Sequence, residues 1–446
     1  MLRYPRRYLV ASALSAGGVI LALTGCGSGG SSSGSSKPKE NPWQEAKSDK
    51  QRATAPEVEP VDLQKLTADN GAFALALYQA VRKTEGNLFY SPYSISLALA
   101  MTYAGARGDT ESQMAAALHF GLAQDKLHPA FNALDLSLPR DSATKAETKD
   151  GQETTGFRLR IANALWGQND HQFLPAFLDT LAENYGAGLQ LLDFKADPEA
   201  ARSLLNQWVN DQTEEKIKDL FPEGSVTDLT RLVLANAIYF NAAWLHPFTA
   251  EQTRDGDFHL LDGSKGTAPM MAETEMFGYA AAEGYQAVEL PYDGGDFSML
   301  ILLPAEGQFA TFEESLDAGR VGSVVSGLRT ANVRLTLPKF TYSMRLGLKQ
   351  TLAAMGMKDA FEPGAADLSG MDGSPDLFIM DVLHKAYVNV NEAGTEAAAA
   401  TGVVVGTTSA PPPPVEMKID RPFLFVIRHQ ETGTLLFVGR VVNPTA

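Results

Sequence analysis

From Glu392 to Thr401 the chain reads Glu-Ala-Gly-Thr-Glu-Ala-Ala-Ala-Ala-Thr, a run that suits neither an ordinary helix nor an ordinary loop. Val403 to Val405, Gly406, Thr407, Thr408 and Ser409 follow, and then four consecutive prolines, Pro411 to Pro414. Alanine favours helix, yet no polar face recurs here at helical spacing. At a period of two the run becomes intelligible. One face carries Thr395, Ala397, Ala399, Thr401, Val403 and Val405, all uncharged. The other carries Glu396, Ala398, Ala400 and Gly402. Such a segment can stand exposed as a loop and later lie between two strands with no charge on its inner face. A flexible Ala/Gly linker is the competing reading, and the flanking sequence decides between them.

That flank, Val388-Asn389-Val390-Asn391-Glu392-Ala393-Gly394-Thr395-Glu396 continuing through Ala397, Ala398, Ala399 and Ala400 to Thr401, resembles the hinge of the serpin reactive-centre region. Asp420-Arg421-Pro422-Phe423-Leu424-Phe425 resembles the C-terminal signature of that family. Asn87 to Ser96, Gly105 to Thr110 and Leu234 to Phe240 match further motifs in the right order, so the resemblance covers roughly residues 62 to 446. Ala393 departs from it, because many members carry a charged residue before the hinge glycine. The resemblance implies an α+β fold in a single domain. It would have a large central β-sheet, smaller sheets, surrounding helices and an exposed reactive-centre loop at about residues 392–414. It implies inhibition of a serine protease by covalent trapping and loop insertion. The chemistry then belongs to the target, and the chain itself is not an enzyme.

The N-terminus carries a different signal. Arg3, Arg6 and Arg7 precede an apolar stretch from Tyr8 to Leu23, and Leu23-Thr24-Gly25-Cys26 resembles a bacterial lipobox. Cys26 is the only cysteine, so no intramolecular disulfide can form. Residues 1–25 therefore read as a lipoprotein signal peptide, with lipid attached at Cys26 after cleavage. A transmembrane anchor or a plain secretory signal are the alternatives; the apolar run is short for a span. Residues 26–60 are rich in Gly, Ser, Pro, Lys and Glu and read as a disordered tether. Its root-mean-square reach is about 30 Å if fully flexible. The expected location is extracytoplasmic, with the lipid anchoring a monomer to the cell envelope or surface. The folded domain spans residues 61–446.

A net charge of −16 argues against binding nucleic acid, and no heparin-type basic cluster is evident; Arg140 to Glu153 mixes both signs. The seven histidines show no zinc-ligand spacing, and no cofactor is expected. Gly30-Ser31-Ser32-Ser33-Gly34 and Gly25 to Gly30 formally fit nucleophile-elbow and dinucleotide-loop patterns, but both lack a strand–turn–helix context.

Helices and strands follow from periodicity. Phe73, Leu77 and Val81 share a helical face, and Ser94 to Ala104 reads as a buried helix. Thr110-Glu111-Ser112-Gln113 fits a capping box, and Asp197-Pro198 fits a cap and first position. Phe157, Leu159 and Ile161 alternate with arginines as in a strand, and Leu232 to Phe240 should be a strand buried on both faces. Tyr285–Tyr292 pairs with Phe297–Leu303, and Val333, Leu335 and Leu337 mark a further strand. Arg345 to Met355 reads as helix, and Phe423–Ile427 pairs with Leu435–Val441.

By resemblance, Ser91, Ser94, Asn236 and His384 form the family's "shutter", a polar cluster beneath the main sheet where strands part. Trp244 matches the tryptophan of the "breach", where the loop first enters. In the family the cleaved bond follows the seventeenth residue counted from the hinge glutamate; by that resemblance it falls here between Thr408 and Ser409, with an offset of one, to Thr407, also open. Between Glu396 and Lys418 there is no Arg, Lys, Asp, Phe, Tyr, Trp or Leu. Pockets of trypsin-like, chymotrypsin-like and aspartate-directed proteases therefore find nothing to hold. Small and β-branched residues suit elastase-like or subtilisin-like enzymes, and a cysteine protease is a further candidate target. The rival reading is a non-inhibitory serpin acting as a surface binding or chaperone-like protein. Hinges of that kind often carry bulky, charged or proline residues, and the inner face of this one, with Thr395, Ala397 and Ala399, carries none.

Overall fold

Leu232 to Ala243 is apolar on both sides because it runs through the middle of a sheet covered on both faces. In the computed structural model, which describes residues 42–140, 157–396 and 413–446, seven strands make up this main sheet. They are β1 (Gln44–Ala46), β2 (Arg158–Gln168), β3 (Leu189–Leu192), β4 (Leu232–Ala243), β5 (Phe340–Gly347), β6 (Asp381–Asn391) and β7 (Gly394–Thr395). Their order is β1-β3-β2-β4-β7-β6-β5, and β4 also pairs directly with β6.

Side-chain alternation divides the sheet into two faces. Leu159, Leu165, Leu234, Ile238 and Phe240 belong to the main core, together with helices α1 (Pro60–Val81) and α2 (Pro92–Tyr103). Every residue of α2 is buried, which is why its sequence shows no polar face. Ala162, Ala164, Trp166, Val233, Ala235 and Ala237 point to the opposite face. There they meet Ala201, Leu205 and Val209 of a helix at Pro198–Gln212. That helix is α6, after α3 (Gly108–Ala117), α4 (Gln124–Ser137) and α5 (Pro175–Tyr185). Asp197 caps it, its carboxylate accepting from the Ala200 amide at 2.9 Å, with Pro198 in the first turn.

Among the described residues, a second sheet of nine strands holds the two expected hairpins. Tyr285–Pro291 pairs antiparallel with Phe297–Pro304, and Phe423–His429 pairs with Leu435–Val441. Phe297–Pro304 joins the two hairpins by pairing with Phe423–His429.

Three local expectations are corrected. Residues 42–59, placed in the disordered tether, are ordered against the domain. β1 pairs antiparallel with β3, Gln44 opposite Leu191 and Ala46 opposite Leu189. Trp43 meets Trp166 edge-on at 5.3 Å, and Arg52 reaches Asp135 at 2.7 Å and Asn132 at 2.8 Å. The open edge of β3 offers unpaired backbone groups that β1 satisfies. Composition alone could not show that partner. The preceding tether residues and Cys26 lie outside the described residues. Second, α3 begins at Gly108, and Thr110 is buried within it, accepting from the Asp367 amide at 2.9 Å. Third, Arg345–Gly347 completes β5 by pairing with Leu383–Lys385 of β6, so the following helix is confined to Lys349–Ala354. Tertiary pairing outweighs local helix preference there.

Candidate functional site

The site grows from the way β4 and β6 separate. They pair in parallel from Val233–Asp381 to Ile238–Ala386 and then part. Into the opening beyond, β7 inserts antiparallel to both. Gly394 lies opposite Ala243 and Asn391, and Thr395 opposite Ala242 and Val390. The chain reverses through a turn in which the Asn391 carboxamide oxygen accepts from the Ala393 amide at 2.9 Å.

Glycine is required at 394 because a Cβ there would sit 2.1 Å from the Ala242 carbonyl oxygen. Thr395 is 1 % exposed, and its hydroxyl shares a 2.7 Å hydrogen bond with the Tyr292 hydroxyl. Trp244 stacks on Tyr292 with ring centres 4.6 Å apart. Its indole N–H donates to the Asn391 carbonyl at 3.0 Å, and its amide donates to Ala393 at 2.9 Å. Trp244 thus holds both sides of the turn. Glu392 pairs with Lys339 at 2.8 Å and accepts from the Thr253 hydroxyl at 2.7 Å. Burial opposes its ionisation, but these partners outweigh that cost and hold the carboxyl below its usual range.

Glu396 points to the α6 side of the sheet, as the period of two requires, yet it does not face solvent. Its side chain is 8 % exposed and ion-paired with Lys216, from the turn that follows α6. That turn covers this face of the sheet, with Ile217 buried in the same cluster as Ala237.

Below the opening, in the paired stretch, Asn236 is a buried polar residue of β4, and its register partner on β6 is His384. His384 Nε2 accepts from the Ser91 amide at 3.0 Å. An amide can only donate, so Nε2 carries no proton, and Nδ1 donates to the Asn236 side-chain oxygen. The Asn236 NH2 then donates to the Ser94 carbonyl at 2.7 Å. The Ser91 hydroxyl caps α2 by accepting from the Ser94 amide at 3.1 Å. Burial pushes the His384 imidazole down to about 3, so the ring is neutral. Ser91, Ser94, Asn236 and His384 are all wholly buried and form one network that ties α2 to the two strands that part.

The sequence reading missed Asn163, which lies opposite Asn236 on β2 and donates to the Ser94 carbonyl at 3.1 Å. It also missed Tyr292, Lys216, Lys339 and Asn241. Its strand also carries Arg158, Arg160 and Gln168, so the local pattern gave no signal for Asn163. Ala397, Ala398, Ala399, Ala400, Thr408 and Ser409 lie outside the described residues.

Residues 68–444 match the family model described as "Serpin (serine protease inhibitor)". The chain is 40 % identical over 393 residues to the leukocyte elastase inhibitor of Bos taurus, covering 86 % of this chain and all of that one. It is 40 % identical over 375 residues to an uncharacterised serpin-like protein of Thermococcus kodakarensis, covering 84 % of each. Among solved structures, tengpin, a thermophilic serpin in its native state, aligns with a TM-score of 0.77 and 27 % identity. That alignment covers 89 % of this chain and 97 % of tengpin. A sheet with Gly394–Thr395 seated between two parting strands, and a family match over almost the whole described domain, define the class. The chain belongs to the serpin family.

Proposed function

We propose that the protein inhibits a serine protease by acting as a suicide substrate. The target's serine attacks the Thr408 carbonyl, the bond to Ser409 breaks, and an acyl-enzyme forms with release of the Ser409 amine. The freed segment from Thr395 to Thr408 then continues the strand that β7 begins. It carries the protease with it and distorts the oxyanion hole before the ester can be hydrolysed; serpin loop insertion is one of the standard examples of released strain. The observation that carries this reading is the seating of Gly394–Thr395 between β4 and β6 in the uncut chain. Insertion is already nucleated there, with Thr395 inward and uncharged.

The small residues around Thr408 favour an elastase-like or subtilisin-like target, and the matched relatives named as leukocyte elastase inhibitors agree with the former. Attachment through Cys26 would present the inhibitor at the cell envelope or surface. The test is incubation with elastase-, subtilisin- and trypsin-like enzymes. The expected products are a gel-stable complex with one of the first two classes and a released peptide beginning at Ser409. Cleavage with no stable complex would favour the binding-protein alternative, and a peptide beginning elsewhere would move the bond.

A further inference from the structure

Glu396 directly follows β7, and its backbone is bent there. Its φ is +59°, the left-handed region that side chains other than glycine seldom occupy. Three groups fix the bend. The Glu396 amide donates to the Asn389 carbonyl at 2.7 Å. Its carbonyl accepts from the Asn241 side chain at 2.9 Å. Its carboxylate is paired with Lys216.

Lys216 is itself firmly placed. On one side the Thr213 hydroxyl donates to the Val209 carbonyl at 2.8 Å and accepts from the Ile217 amide at 3.2 Å. On the other, Glu214 pairs with Arg158 at 2.7 Å and Arg160 at 3.2 Å, both on β2. Glu214 and Glu215 are also left-handed, so the turn has an unusual shape that local contacts hold. The lysine therefore reaches the hinge from a support fixed to the strand beside β4.

Extending β7 past Thr395 requires Glu396 to swing from this bend to an extended conformation, with φ near −140°. That swing breaks the contact with Lys216 as now made. We propose that Lys216 is a positioning residue that holds the hinge at two inserted residues. It thereby sets how readily the strand propagates, both in the uncut chain and after cleavage. The effect after cleavage rests on the suicide-substrate reading; the effect in the uncut chain does not.

The test uses the full folded chain without protease. Each variant is held at a fixed temperature below unfolding, and conversion to a urea-resistant monomer is followed on urea-gradient gels. A half-exposed ion pair is worth about 1 kcal/mol or less, so Lys216→Ala is expected to speed conversion up to roughly fivefold. Glu396→Gln, which alters the other partner and guards against misfolding of the first variant, should do the same. Lys216→Arg should stay near the parent, and the exchange Lys216→Glu with Glu396→Lys should slow conversion again. Equal rates for Lys216→Ala and the parent, or an exchange variant as fast as the single ones, overturn the proposal. A protease panel run beside it separates the two readings. Accelerated conversion without any covalent complex defeats suicide inhibition and leaves the positioning role standing. Complex formation with unchanged conversion does the reverse.

Discussion

Thr395 occupies a space with no room for charge. Its hydroxyl is satisfied by Tyr292, and the residue is otherwise enclosed by Ala242 and Val390. Thr395→Arg would bury a cation without a partner, at a cost of several kcal/mol. The expected outcome is cleavage at an unchanged rate with the covalent complex lost, read as a rise in nicked product on a denaturing gel. Glu396→Arg would instead set a cation beside Lys216 and release the bend, so it should retain the complex. If both variants trap equally well, inward placement of Thr395 does not govern insertion. His384 gives a second test. Its pKa, about 3 when folded, lies below the unfolded value of roughly 6.5. The folded state therefore favours the neutral ring. That contribution is complete above about pH 6.5 and is lost as pH falls toward 3. His128, pushed down to about 4 mainly by burial, acts in the same direction. The melting temperature should fall as pH drops from 6.5 to 4.5, and His384→Gln should flatten that slope. A parent protein with a flat profile would contradict the neutral network. Asn236 was legible as the single polar interruption of the apolar run Leu232 to Phe240. Asn163 was not, because its role comes from a neighbour 73 residues away.

At the scale of elements, what could be read was whatever local pattern controls. The burial of β4, the cap of α6 and the two antiparallel hairpins follow from alternation and from Asp197. What could not be read depends on distant surfaces. β1 is a strand only because β3 leaves an edge free, and Lys216 meets Glu396 only because the turn after α6 crosses the sheet. Trp43 was the one hint in the tether, a large aromatic where a solvated linker needs none. Trp166 is wholly buried, with Trp43 and Trp208 edge-on at 5.3 and 5.7 Å. Trp43→Ala should destabilise the fold by about 1 kcal/mol from the lost ring pair, and by more where area is exposed. The midpoint of urea unfolding measures this. An unchanged midpoint would mean that residues 42–46 do not hold the sheet edge.

On the scale of the whole molecule, the resting sheet is incomplete. Between β4 and β6 there is one parallel ladder over part of their length and a two-residue strand above it. Inserting the reactive segment would exchange that ladder for two antiparallel ones, which are somewhat stronger per residue. It would also bury the uncharged face that begins at Thr395. Gly394–Thr395, Trp244 and the network around His384 all lie along β4 and β6, so the proposed insertion would involve each of them. The most direct measurement is the midpoint of heat unfolding before and after a non-target protease nicks the chain between Glu396 and Val415. Breaking a peptide bond ordinarily weakens a fold. Here the midpoint should rise, because the freed segment completes the sheet. An unchanged or lower midpoint would show that no strand is inserted.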